Sequence, residues 1–364
     1  MSDTRLKTTT IGAYPKPSYT PIRDWFPDPD DADARRQGEG LLKRWQRAGC
    51  EQGLEEAGQL AEENFVAAIE EVVRDQVDAG IDIPTDGEVR RENYIFYQCR
   101  HMNGFDFEHL TEKVARQGAF TAEVPTITGP VSTRELVLAR DWRIAQNATD
   151  RPVKITLPGP MTITDSLANS YYPDPRSQGL ALAEALNAEV LSLAEAGCLH
   201  IQVDEPVFAR KPELALEYGI EHLERVFHGV PENVQRVVHM CCGYPNALDV
   251  TEYLKADPQA YFQIASAMDD AAIDAVSIED AHRHNDLSLL EHYRKTTVLL
   301  GVVAIAKSRV EEVDEIKDRL QEALHHIDSD RLVAAPDCGL GLLGRDLAVR
   351  KLKRLCEATG GVHA

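Results

Sequence analysis

Eight short, near-continuously apolar segments recur along the 364 residues, most of them running into glycine, proline or an acid. They are TTTIGAYP (8–15), IDIPTDGE (81–88), VKITLPGP (153–160), HIQVDEP (200–206), RVVHMCCG (236–243), DAVSIED (274–280), VLLGVVAIA (298–306) and RLVAAPDCG (331–339). Each has strand length, and an apolar run without alternation is how a strand buried on both faces reads. Helical periodicity lies between several of them. Phe65, Ile69, Val72, Val73 and Val77 share one helix face before Gly80; Leu182, Leu186, Val190 and Leu193 do so before Gly197. Val313, Ile316, Leu320, Leu324 and Ile327 repeat the pattern over 310–327. Glycine just past a helix end is the usual left-handed stop. Buried strands alternating with helices predict an α/β fold, a (β/α)8 TIM barrel, with a doubly wound open sheet as the alternative. Residues 16–58, acidic and Pro-rich before turning charged, and residues 104–150, containing VPTITGPVS as an extra hairpin, break the alternation. Both read as excursions from one barrel domain spanning 1–364, with no internal repeat.

Composition narrows the partners. Lys plus Arg number 39 and Asp plus Glu 60, a formal charge of −21, which suits neither a nucleic-acid backbone nor an anionic membrane. No apolar stretch approaches the ~20 residues of a membrane span, and MSDTRLKTTTIGAY has no apolar signal core, so the expected location is cytoplasmic. Seven cysteines, an odd number, do not read as a disulfide framework.

Barrels carry function at the carboxyl ends of their strands. Those ends hold Asp86 and Glu88, Asp204 and Glu205, His239, Cys241 and Cys242, Glu279 and Asp280, and Asp337 and Cys338. Side chains alternate with period two, so His239 and Cys241 share a face. With Glu279 and Cys338 they offer one imidazole, two thiolates and one carboxylate, a set suited to tetrahedral zinc. A hydrogen-bonded core histidine with packing cysteines is the competing reading. Zinc with thiolate ligands deprotonates an incoming thiol, which points to thiol S-alkylation with a displaceable carboxylate ligand.

Glu88 and Asp204 suit a substrate ammonium group, or else are salt-bridged strand ends. Arg90, Arg91 and Arg100 read a carboxylate or sulfonate, or pair with neighbouring acids. His282 and His284 in EDAHRHND offer acid–base or metal roles against plain loop exposure. LPGPMTIT (157–164) reads as a rigid wall and YPKP (14–17) as a rigid turn. GxxxxGK[ST] and GxSxG are absent, against P-loop and hydrolase chemistry.

TTTIGAYP, DGEVRREN, LPGPMTI, IQVDEP, HMCCGYP, VSIED and APDCGLG, in this order from about residue 7 to residue 355, resemble the catalytic half of the cobalamin-independent methionine synthase family. The resemblance implies a (β/α)8 barrel and zinc held by His239, Cys241, Glu279 and Cys338. It also implies that Glu88 and Asp204 hold the amino group of homocysteine, and that the backbone of Ile11, Gly12 and Ala13 holds its carboxylate.

Three departures stand out. Larger members of the family have a second, N-terminal barrel that helps hold folate, for which this chain has no room. The family's IGSFP is IGAYP here, which removes a hydroxyl at Ala13. Its D-I-H-S block, whose histidine is implicated in protonating the leaving pterin, is replaced by AIAKS, with Ala306 in the histidine's place. A pterin nitrogen leaves poorly without an acid. The reading is therefore a zinc-dependent S-methyltransferase that makes methionine from homocysteine with a donor other than free methyltetrahydrofolate, a methyl-carrier protein being one such source. The alternatives are an epoxyalkane:coenzyme M transferase, with Lys307 or the arginines near 90–100 serving the sulfonate, and a non-catalytic zinc-binding protein on the same scaffold.

Overall fold

A computed structural model describes residues 5–22, 54–115, 120–243, 247–251, 253–360 and 362. Most of the expected 16–58 excursion, and Cys50, lie outside the described residues. Strand β1 (Lys7–Thr8) is followed by helix α1 (Leu54–Ala79), the short α2 (Tyr94–Arg100), and a long hairpin of β2 (Met102–Ala115) and β3 (Phe120–Thr133). After α3 (Leu138–Asn147) come β4 (Lys154–Pro158), α4 (Pro160–Ser166), the two-residue β5 (Ala168–Asn169) and α5 (Pro175–Ala196). The chain continues through β6 (His200–Asp204), α6 (Pro206–Arg210), a π-helical turn at Ala215–Gly219, α7 (Ile220–Val226), β7 (Gln235–Met240) and α8 (Ala260–Asp270). It ends with β8 (Ala275–Glu279), β9 (Thr297–Val303), α9 (Val313–Ala323), β10 (Leu332–Pro336) and α10 (Arg345–Thr359).

Seven strands form one curled parallel sheet in the order β1-β10-β9-β8-β7-β6-β4. Every neighbouring pair in it is parallel. The predicted strand IDIPTDGE forms no ladder. Pro84 has no N–H to donate, and the segment makes only two isolated parallel bridges, Thr9 to Ile83 and Thr85 to Lys154. Those bridges lie beside the two edge strands. The expected hairpin is present as β2–β3, antiparallel, with β5 added along β3.

Local sequence explains the helix ends. Asp174 caps α5 by accepting from the Ser177 amide at 2.8 Å, and Pro175 supplies the fixed φ of the first turn. Gly197 ends α5 at φ 102° and Gly80 ends α1 at φ 109°. A Cβ on Gly80 would also stand 2.9 Å from Cys356 Cβ, so this stop doubles as a close packing point between α1 and α10.

Two apolar cores follow from strands covered on both faces. The larger lies between sheet and helices and takes the outward residues, among them Ile155, Val203, Val238, Val276 and Leu300. The smaller fills the inside of the curl with Ile11, Val237, Ala275, Leu299, Val333 and Ala335. The remaining inward positions, towards the carboxyl ends, are polar. Among the described residues no helix is long and apolar enough to cross a membrane.

One buried ion pair ties α10 to the end of β9. Lys351, fully buried, donates to both oxygens of Glu311 at 3.0 and 2.9 Å, and Glu311 also accepts from the Ala304 amide at 3.0 Å. Removing one partner strands the other charge in the core, at a cost of ~3–5 kcal/mol. Glu311→Gln is expected to lower the urea unfolding free energy by about that much. The double variant Glu311→Gln/Lys351→Met should recover part of the loss; equal stability of the single variant and the parent protein would remove the pair from the fold's essentials.

Candidate functional site

A cavity of about 480 Å³ opens at the carboxyl ends of the sheet. Its lining includes Ile11, Gly12, Ala13, Glu88, Asp204, His239, Cys241 and Cys338, eight of the nine residues singled out from the sequence. Glu279, the ninth, stands behind the wall.

His239, Cys241 and Cys338 form a compact group, their donor atoms all within 4.8 Å of one another. Alternation along β7 turns His239 and Cys241 inward, while Cys242 faces the outer core, where burial pushes its thiol up to about 12. The Nδ1 of His239 lies 2.9 Å from Ser277 Oγ on β8, which leaves Nε2 towards Cys338 Sγ at 3.4 Å. Fixing one ring nitrogen to an oxygen so that the other faces the ligand position is the usual support of a metal-bound histidine. A hydrogen bond from Cys338 holds the Cys241 thiol well below its ordinary range; burial opposes this and His239 adds to it. Cys338, in turn, is pushed well above its ordinary range by Cys241. Burial works against the His239 cation, but Cys241 raises it net. The group therefore gathers thiolate character and an aimed imidazole nitrogen, a donor set fitted to a thiophilic divalent cation.

Glu279 ends β8 beside this group, but its carboxylate is engaged elsewhere. One oxygen takes the Lys255 ammonium in a short contact and the other accepts from the Cys242 amide at 3.1 Å. Burial, and then Asp337, push its carboxyl up to about 7, against the pull of Lys255. The fourth sequence-derived ligand thus adjoins the group of three without belonging to it.

The opposite wall is acidic. Glu88 sits at φ 55° directly after Gly87 at φ 67°, two consecutive left-handed residues. Gly87 has no alternative, since a Cβ there would lie 2.4 Å from Val72 Cγ1. Thr156 donates to Glu88 Oε1 at 2.8 Å and accepts from Arg91 at 2.7 Å; Arg91 also donates to Asp86 at 2.7 Å. Asp204 accepts from Gln202 at 2.7 Å. Burial pushes its carboxyl up to about 7, with His239 opposing and Glu88 reinforcing the shift. Beneath it lies Lys154, whose ammonium burial pushes down to about 7. Lys154 Nζ and Gln202 Oε1 are buried without hydrogen-bond partners among the described residues.

Backbone forms the third wall. The carbonyls of Ile11, Gly12 and Ala13 accept from Gln202, Thr85 and the Leu340 amide. Their amides have no acceptor among the described residues. A Cβ on Gly12 would stand 2.6 Å from Glu88 Oε1, so glycine is what lets this backbone lie against the acid.

Several residues weighed for chemistry have structural work instead. Glu205 accepts from the Met161 and Thr162 amides, both at 2.9 Å, and caps the N-terminus of α4. Gly159 in LPGP makes room for that carboxylate, which a Cβ would meet at 2.2 Å. Asp280 is clasped by Arg319. Asp337 accepts from the Asp280, Ala281 and His282 amides and from His282 Nδ1 at 2.6 Å. His282 Nε2 accepts from the Ala306 amide at 3.1 Å, so both its ring nitrogens are taken. Neither His282, His284 nor Lys307 lines the cavity, and His284 is exposed. Arg90 pairs with Glu62 and Asp141, and Arg100 with Glu92. Sequence reasoning missed Thr156, Gln202 and Ser277, although Gln202 lies two residues from Asp204 and Ser277 two residues from Glu279 on the same strands, so each shares that residue's face. It also missed Lys255, which sits in an irregular segment with no periodic signal.

A thiol–imidazole group facing two carboxylates at the carboxyl ends of a curled parallel sheet marks an α/β protein with a candidate metal site. Residues 43–360 match the family described as cobalamin-independent synthase, catalytic domain, and the chain belongs to that family. It is 29% identical to a methionine synthase of Sulfolobus acidocaldarius over 99% of this chain and 93% of that protein. It is 28% identical to a methionine synthase of Pyrococcus abyssi, over 97% of this chain and 91% of that one. Among solved structures it is similar to a B12-independent methionine synthase from Shewanella sp. W3-18-1 in complex with selenomethionine, with TM-score 0.81 and 28% identity, covering 98% of this chain and 97% of that one. A putative synthase of Listeria monocytogenes, with TM-score 0.69 and 18% identity, shares the fold.

The raised carboxyl of Asp204 has a signed consequence for stability. Its unfolded value is near 3.9 and its folded value about 7, so between these pH values the folded state binds the extra proton. Its contribution is therefore lost as pH rises across that interval, by up to ~1.4 kcal/mol per pH unit. In the ligand-free protein Asp204→Asn should change stability little near pH 4 and raise it relative to the parent at pH 8. Urea unfolding of both proteins at the two pH values measures this; an equal difference at both would contradict the burial of that charge.

Proposed function

We propose that the chain is a single (β/α)8 barrel domain, with residues 81–85 as the eighth stave, that catalyses zinc-dependent methylation of homocysteine to methionine. The observation that carries the reading is one cavity with His239, Cys241 and Cys338 on one side and Glu88 and Asp204 on the other. The names of the relatives support the product. Glu279 completes the ligand set once its carboxylate leaves Lys255. Zinc at this site supplies a thiol held as thiolate at neutral pH.

The remaining work belongs to the chain's own groups. Glu88 and Asp204 receive the substrate ammonium, and that charge draws the proton from Asp204. The free amides of Ile11, Gly12 and Ala13 take the carboxylate, offsetting the missing hydroxyl at Ala13. Two contacts to a cation, ~1.5–3 kcal/mol each, outweigh one neutral hydrogen bond of ~0.5–1.5 kcal/mol. This favours homocysteine over coenzyme M, which has no ammonium.

The methyl donor is something other than free methyltetrahydrofolate, for instance a methyl-carrier protein. Ala306 has no proton to give, and His282, the imidazole that meets the Ala306 amide, has both nitrogens occupied.

Purified protein is expected to hold about one zinc per chain, the stoichiometry of a single four-ligand site. Cys338→Ser should remove a sulfur from the X-ray absorption shell together with activity. Stoichiometric tight zinc in a triple variant of His239, Cys241 and Cys338 would refute the site. Asp204→Asn should weaken homocysteine binding in calorimetry at least tenfold, about 1.4 kcal/mol, with zinc content unchanged. With homocysteine present, methyltetrahydrofolate alone should give little or no methionine; turnover near one per second, within the common enzyme range of ~1–10³ per second, would show that the missing acid is replaced elsewhere.

A further inference from the structure

Lys255 enters the reading above only as the partner that the Glu279 carboxylate has to leave. It lines the cavity with its side chain 13% exposed, and its ammonium makes a short contact with Glu279 Oε1. It is held in place from two directions. Its neighbour Ala256 donates its amide to the Cys242 carbonyl at 3.0 Å, which fastens the segment to the end of β7. Its Nζ also lies 5.4 Å from the centre of the Tyr253 ring, a cation–π distance. Glu279 is held at its backbone and again at its carboxylate. Its amide donates to Tyr261 Oη at 3.3 Å within the β8 ladder, while its carboxylate is divided between Lys255 and the Cys242 amide. Those two donors satisfy both carboxylate oxygens away from the His239–Cys241–Cys338 group.

We propose that Lys255 is a positioning residue that competes with the metal for the Glu279 carboxylate, leaving one metal position exchangeable. Resting on the zinc reading, this supplies what that reading lacks: a partner for Glu279 whenever a substrate sulfur takes its place. A buried carboxylate displaced without a partner would be uncompensated. With Lys255 beside it, the displaced state is stabilised in advance. The same contact weakens metal binding before substrate arrives, because Glu279 must give up Lys255 to reach the metal. Lys255 therefore shifts free energy from resting metal affinity to thiol affinity.

The test is zinc affinity by competition with a chromophoric chelator, together with calorimetric homocysteine titration of the zinc-loaded protein. Lys255→Met should bind zinc about tenfold more tightly and homocysteine about tenfold more weakly, each about 1.4 kcal/mol. Lys255→Arg, which keeps a cationic donor, should restore both towards the parent values. Removing a positive charge near a cation tightens binding by itself, so the comparison is repeated with Glu279→Gln. In that background Lys255→Met should change zinc affinity by less than about threefold, roughly 0.65 kcal/mol. An equal effect in both backgrounds would show that Lys255 acts only through its field and would overturn the proposal. So would unchanged zinc affinity in Lys255→Met, confirmed folded by circular dichroism. Failure of the parent protein to bind zinc would overturn the zinc reading and this inference together, whereas normal zinc binding with indifferent Lys255 variants would sink the inference alone.

Discussion

Alternation of side chains on parallel strands forces half of every strand's residues into the inside of the curl, where water is scarce. Six apolar side chains fill the lower part. Above them the same register sets Asp204 beside His239 and His239 beside Ser277, with Cys241 two residues on from His239, just past the end of β7. Polar groups so placed must be hydrogen-bonded or change protonation. The structure uses both routes: Gln202 and Ser277 supply hydrogen bonds, while Asp204 and Lys154 shift towards neutrality. A cation at the candidate metal position and an ammonium at the acid wall would each relieve part of this burden.

The acids at the strand ends divide by what their oxygens touch. Glu205, Asp280 and Asp337 spend theirs on backbone amides or on arginine, and so fix loops and helix starts. Glu88 and Asp204 keep oxygen surface towards the cavity, held from behind by Thr156 and Gln202. The distinction follows strand direction: Asp204 points in and its neighbour Glu205 does not. Glu88 reaches the cavity by a different device, the paired left-handed residues Gly87 and Glu88, which turn the chain abruptly at the end of the bridging segment.

These mechanisms set what was legible in the sequence. Apolar runs marked β4 and β6 to β10 because burial on both faces removes alternation, and period two put His239 with Cys241. The segment around Pro84 has the same composition, but a missing N–H, invisible to hydropathy, reduces its ladder to bridges. The roles of Glu205 and Asp337 were hidden because their partners are backbone amides distant in sequence. Lys255 was hidden for another reason. Its position depends on the path of an irregular segment, and nothing in a lysine between an apolar residue and Ala256 signals a carboxylate across the site.

Charge completes the argument. Cys241 with its thiol held low, Glu88 and Glu279 gather negative character around one small volume, and Arg91, His239 and Lys255 are among the groups that meet it with opposite sign. Arg91 is tied to Asp86 and Thr156 and serves the acid wall. Cys241 makes the His239 ring more basic, and that ring must be neutral to ligate a metal. A metal ligated by both would have to displace any proton on His239 and the Lys255 ammonium on Glu279, two competitors drawn from the chain itself. Ser277 holds the imidazole, and Lys255 with the Cys242 amide holds the carboxylate, so both candidate ligands are fixed by the chain's own groups.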